Sequence, residues 1–132
     1  MKDVHIPVSA GELLDKITIL RLKAARLSDA QQLANVRLEL GHLEKTWTEL
    51  GGATTELTAE EHALQAVNGR LWDIEDRIRD REARQLFDRE FIDLARAVYV
   101  TNDERAALKK RINLQLGSRL VEEKFYAPYQ KT

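Results

Sequence analysis

Cysteine is absent from the 132 residues, and its absence removes disulfide staples, thiolate metal sites and cysteine nucleophiles together. A reducing compartment suits such a chain, so the cytoplasm is the expected location. An excess of charge of one sign is missing too. Lys plus Arg number 21 against 22 Asp plus Glu, which leaves no global field to hold a polyanion, so no nucleic-acid partner is expected. Long apolar runs are lacking. No stretch approaches the roughly 20 apolar residues that cross a bilayer, and the start, Met1 to Pro7, has no apolar segment of the kind an export signal needs. Membrane association is therefore not expected either. His5, His42 and His62 show no metal-ligand spacing, and neither a Ser-His-Asp set nor a glycine-rich phosphate loop can be assembled. No metal and no cofactor are expected.

What is present is helical. A length of 132 residues suits one domain, 1–132, with a core of its own. Capping boxes, in which a hydroxyl residue is followed three positions on by Glu or Gln, occur at Ser9–Glu12, Ser28–Gln31, Thr58–Glu61 and Thr101–Glu104. Between them apolar residues step by three and four: Leu13, Ile17, Leu20, Ala24 and Leu27, then Leu33, Val36, Leu40, Leu43, Trp47 and Leu50, which Gly51-Gly52 brings to a stop. A third series runs through Leu64, Val67, Leu71, Ile74 and Ile78, and a fourth through Phe87, Phe91, Leu94 and Val98. Thr101 either kinks this fourth helix or starts a fifth, which ends at Gly117. The expected fold is all-α: an antiparallel bundle of four to five helices, two long helical hairpins with coiled-coil-like spacing, followed by an extended C-terminal tail. Leu20, Leu40, Leu71 and Ile74 are expected in its core.

Polar side chains set beside these seams are the candidates for function. Asn68, Trp72, Glu75 and Arg79 share one face of the third helix. Asn102, Arg105, Lys109 and Asn113 share another, at what Thr101 makes the start of a helix, where free N–H groups favour a carboxylate or phosphate. The expectation is that Glu75, Arg79, Asn102, Arg105 and Lys109 meet in one partly buried cluster, with Asn68 and Trp72 shaping it. Each face has a plainer explanation as well: Glu75 and Arg79 have the spacing of an exposed ion pair, and Asp103 and Glu104 balance the second face. Glu12, Asp15 and Lys16 form a third set, of which Glu12 has a capping role and Asp15 and Lys16 read as surface. Glu12-x-x-Asp15 and Asp73-x-x-Asp76 resemble the paired carboxylates with which all-helical pyrophosphohydrolases hold Mg²⁺, a spacing that a chain one-third charged produces readily by chance.

Residues 6–20, 67–76 and 97–105, reading IPVSAGELLDKITIL, VNGRLWDIED and AVYVTNDER, resemble a family of small bacterial proteins known only as a domain of unknown function. The resemblance covers nearly the whole chain. It implies a bacterial or phage source and a stand-alone domain, and it brings no activity. Two functions are compatible with the residues. One is a non-catalytic helical module that self-associates or binds a partner, with a homo-oligomer, specifically a homodimer, expected. The alternative is a bundle whose polar pocket, lined by Arg79, Arg105 and Lys109, holds a small anionic molecule, much as all-helical chorismate mutases position theirs.

Overall fold

A computed structural model describes residues 1–130. Four α-helices follow in order: α1 (Ala10–Arg26), α2 (Ala30–Glu49), α3 (Thr58–Ala83) and α4 (Arg89–Gln115), with a 3-10 turn at Thr55–Leu57 leading into α3. There is no strand among the described residues, and the segment from Ser118 to Gln130 contains neither helix nor strand.

Local chemistry explains where the helices start, and it departs from the expected capping boxes. Ser9 does cap α1, its hydroxyl accepting from the Glu12 N–H at 3.2 Å. Asp29, not Ser28, caps α2 by accepting from the Gln32 N–H at 2.9 Å. Thr58 lies inside α3, which begins with no side-chain cap. Asp88 caps α4 by accepting from the Phe91 N–H at 3.1 Å. Thr101 does not start a fifth helix, because α4 is continuous from Arg89 to Gln115. It sits buried in the middle of α4, where backbone N–H groups are already taken by the preceding turn.

Three of the helices end alike. Gly51 and Gly117 take the left-handed backbone, φ 76° and 61°, after α2 and α4, and the next N–H reaches back to the last turn in each case, Gly52 to the Trp47 carbonyl and Ser118 to the Asn113 carbonyl. After α3 the same position is filled by Gln85 at φ 55°, with Leu86 N–H donating to the Arg81 carbonyl.

Packing centres on α1, which touches each of the other three helices, while α3 and α4 run antiparallel along their lengths. Glu60 faces Gln115, Arg70 faces Glu104, Arg77 faces Glu90 and Arg81 faces Asp88 across that hairpin. The α1 helix is antiparallel to α4 as well, with Gly11 beside Asn113 and Asp15 beside Arg105. A three-residue connection, 27–29, folds α2 back over α1. The core gathers Leu13, Leu14 and Ile17 of α1, Trp47 of α2, Leu64 and Val67 of α3, and Leu108 and Ile112 of α4. Of the four residues expected there, Leu20 is buried and Leu40 and Leu71 border the core. Ile74 is only half-buried. The reason is length: α1 ends at Arg26, which reaches α3 at Asp73, so the hairpin beyond that point stands clear of the bundle.

At Gly11 the approach of α1 to α4 leaves no room for a side chain, because a Cβ there would collide with the Lys109 carbonyl oxygen. Gly11→Ala is expected to cost roughly 1 to 3 kcal/mol through overpacking, and Ile17→Ala roughly 2 to 5 kcal/mol through cavity formation. Urea denaturation of both variants checks the pair, and values below about 0.5 kcal/mol would contradict this packing.

Candidate functional site

The polar centre of the molecule is Asp15, which has no exposed surface. Its position on α1, one turn after Gly11, turns it toward α3 and α4 at the closest approach of the helices. Arg105 of α4 grips both carboxylate oxygens, Nε to Oδ1 at 2.9 Å and Nη2 to Oδ2, the bidentate fork that guanidinium geometry favours. Asn68 of α3 donates from Nδ2 to Asp15 Oδ1 and to Thr18 Oγ1, both at 2.9 Å. The Thr18 hydroxyl donates in turn to the Asp15 carbonyl at 2.8 Å. Three helices are thereby tied to one carboxylate.

Lys109 lies one turn along α4 from Arg105 and is 5% exposed. Its ammonium contacts Glu12 at 2.6 Å, Glu122 at 2.8 Å and, more distantly, Asp15 at 3.9 Å. Burial pulls the pKa of this ammonium down, but the hydrogen bonds it donates to Glu12 and Glu122 and the charge of Asp15 outweigh it, so the net direction is upward. Arg105 is likewise raised, first by its hydrogen bonds to Asp15. Glu122 comes from the segment after α4 and also meets Lys124 at 2.8 Å. The two lysines hold its carboxyl well below the ordinary value of 4.5, at about 2. Three cations, Arg105, Lys109 and Lys124, thus face three acidic groups, Glu12, Asp15 and Glu122.

The helix ends around this cluster are stitched together. Asn113 Oδ1 accepts from the Gly11 N–H at 2.6 Å, and Ser118 Oγ accepts from the Ala10 N–H at 3.2 Å, so the first free N–H groups of α1 are used by the end of α4. The Nδ2 of Asn113 is buried without a partner among the described residues.

The clefts beside the cluster include one of about 300 Å³ bordered by Glu12, Asp15, Lys16 and Arg105, and two that are larger. The first of these, of about 700 Å³, lies between α4 and the C-terminal segment, and its walls include Tyr99, Asn102, Arg105, Lys109, Glu122 and Tyr126. The smaller of the two, of about 400 Å³, is bordered by Leu22, Asn68, Trp72, Glu75, Asn102 and Arg105.

The residues singled out in the sequence are therefore divided among three places. Asn68, Arg105 and Lys109 converge on Asp15 and Glu12. Trp72, Glu75 and Asn102 border the cleft of about 400 Å³, with the Arg26 guanidinium 5.4 Å above the Trp72 ring. Arg79 stands in solvent, its side chain 80% exposed, and pairs with Glu75 at 3.1 Å. The expected meeting of five side chains does not form, because the Glu75–Arg79 stretch of α3 lies past the end of α1. The expected helix N-terminus beside Asn102 is also absent, since α4 runs straight through it. Asp15, read as surface from the sequence, is the buried acid of the cluster. A usable signal existed in the spacing Gly11, Asp15, Thr18, a small and polar stripe on the face also occupied by Leu14. Asp15 and Asp73 are each engaged by an arginine, and among the described residues no group of three or more His, Asp or Glu is placed to hold a metal ion.

Residues 4–132 match the family described as Family of unknown function (DUF6165). The chain belongs to this family. Comparison with curated proteins and with solved structures returns no match. Membership thus covers nearly all of the sequence and assigns no activity, and no helix among the described residues is long and apolar enough to cross a membrane.

Two tests follow from the cluster. Asp15→Ala strands Arg105 in a partly buried site and is expected to cost roughly 3 to 5 kcal/mol, whereas Glu75→Gln on the exposed pair is expected to cost less than about 0.5 kcal/mol. Equal effects of the two in urea denaturation would refute the assignment of the hub. The second test is pH. Because the folded Glu122 carboxyl is depressed to about 2, its contribution to docking of the C-terminal segment is complete above about 4.5 and is lost as pH falls toward 2. NMR titration of that carboxyl, read together with proximity of the Tyr99 and Tyr129 rings, measures it. A midpoint near 4.5 would show that the contact does not hold in solution.

Proposed function

We propose that the chain is a non-catalytic helical association module of a bacterial cytoplasm, and that it folds as one domain and works as a homodimer. The observation that carries this reading is the α3–α4 hairpin beyond Asp73. Among the described residues it packs mainly on itself, leaving Phe87 55% and Ile92 48% exposed, with Ile74, Ile78 and Phe91 half-covered. Two antiparallel helices cannot bury both flanks of a shared apolar seam, but a second hairpin laid across the first closes a four-helix bundle and covers them. A two-fold axis would place the same residues opposite one another.

Surface area supports the same reading. The accessible surface is 9389 Å², against about 7,100 Å² for a compact monomer of this mass by the scaling of surface with mass. The segments flanking the helices contribute to the excess, and so does the free hairpin. Stable homodimers bury on the order of 1,000 Å² or more per subunit, so the excess is large enough to supply such an interface. Internal pairing of the Asp15 cluster favours this reading over a catalytic one, since its cations are already matched by acids within the fold.

Light scattering at micromolar concentration is expected to give twice the 15.2 kDa of one chain. The double variant Phe87→Glu, Ile92→Glu is expected to give a single-chain mass with unchanged helical circular dichroism. A monomeric parent protein, or a dimer that survives both substitutions, would overturn the reading.

A further inference from the structure

We propose that the cleft between α4 and the C-terminal segment is a binding site for a small organic anion, whose carboxylate or phosphate takes the place of Glu122 on Lys109. Lys109 is the first reason. An ammonium buried to this degree on a cleft wall requires anionic partners, and its two close ones are of different kinds. Glu12 is fixed in the first turn of α1. Glu122 belongs to a stretch without helix or strand, so its carboxylate sits at the ammonium as a tethered ligand would.

The C-terminal segment is also held in a way that permits exchange. Its ties are mostly polar or aromatic: Glu122 to Lys109, Glu123 to Lys110 at 3.0 Å, and Tyr129 against Tyr99 with ring centres 5.2 Å apart. Phe125 and Tyr126 remain exposed, while Leu120 and Val121 beside Glu122 are half-buried, so the Glu122 side chain can turn aside while the segment stays in place. Arg105, which spends Nε and Nη2 on Asp15, forms part of the same wall. With the Glu122 side chain turned aside and the segment still in place, Arg105, Lys109 and Lys124 face only Glu12 and Asp15, an imbalance of one positive charge. Asp103 lies on the exposed rim, where water and salt screen it.

Size and lining fit a small molecule. The volume of about 700 Å³ falls within the range of ligand clefts, roughly 300 to 1,000 Å³. Val98, Tyr99, Ala106 and Tyr126 offer apolar surface beside the cationic end. The ligand class is therefore an anion at one end and a flat or aliphatic body at the other. A carboxylate and a phosphate share this chemistry, and binding of the two probes below separates them.

Phenyl phosphate and benzoate, titrated separately into the full chain at neutral pH and followed by NMR, test the proposal. At least one is expected to bind saturably and to shift Lys109 and Tyr126. Glu122→Gln removes the internal competitor and is expected to tighten binding roughly five- to tenfold, the size of one partly exposed charge pair. Lys109→Met is expected to abolish binding. Should that variant fail to fold, Tyr126→Ala, on the exposed segment, is expected to weaken binding several-fold instead. The proposal is overturned if neither probe binds Glu122→Gln, if that variant binds no tighter than the parent, or if binding survives Lys109→Met or is unchanged in a folded Tyr126→Ala.

Discussion

A carboxylate with no access to water can remain inside a helical bundle only if other groups replace the water it has lost, and that of Asp15 is met by a bidentate guanidinium and an amide, with the Lys109 ammonium at 3.9 Å. Much of the architecture follows from that requirement. Arg105 must come close, so α4 lies against α1, and Gly11 stands where the two backbones would otherwise collide. Asn68 must come close from the other side, which fixes where α3 crosses. Lys109 is drawn into the same field and brings Glu122 with it. Apolar burial makes the bundle stable, but it is indifferent to sliding one helix by a turn. The Asp15 network is not, since a one-turn slip of α4 would set Lys109 where the guanidinium fork belongs.

The features legible in the sequence were those governed by local rules. The Ser9 cap, the stops at Gly51 and Gly117 and the seams around Leu20 and Leu64 depend on residues a few positions apart, and the structure contains them. The junction between α3 and α4 was less visible because Gln85, not glycine, occupies the left-handed position that ends α3. Thr101–Glu104 misled for the opposite reason. It has the residues of a helix start, but tertiary burial of Thr101 on the inner face of a continuous α4 overrides the local preference. The sequence places Asp15 at the surface because a charge in an amphipathic helix is normally solvated. Its burial is decided by Arg105, 90 positions away, and no periodicity reports that.

The polar stripe on α4 shows how nearly the site could be read. Asn102, Arg105, Lys109 and Asn113 do point one way, and the direction is toward the first turns of α1. Asn113 closes the start of α1, Lys109 and Arg105 meet its acids, and Asn102 emerges at the border of both larger clefts. The companion stripe on α3 divides, because helix length intervenes. Asn68 lies opposite α1 and joins the hub, whereas Glu75 and Arg79 lie beyond Arg26 and meet solvent. A stripe of like spacing is therefore buried or exposed according to where its neighbour ends.

That same boundary separates the two surfaces for which roles are proposed. The proposed dimer face occupies the hairpin beyond Asp73 and centres on the exposed Phe87 and Ile92. The anion cleft occupies the part of α4 that touches α1 and is built on charge. Each can therefore fail experimentally without the other, although α4 runs through both. Arg105 is the group on which structure and binding would meet. Its Nε and Nη2 are committed to Asp15, and that commitment fixes the guanidinium plane against the cleft wall, so an incoming oxyanion would find it already oriented and would not have to order a free side chain. Exchange at Lys109 then asks only that one tethered carboxylate leave as another arrives, which preserves the charge balance around Asp15 on which the packing of three helices depends.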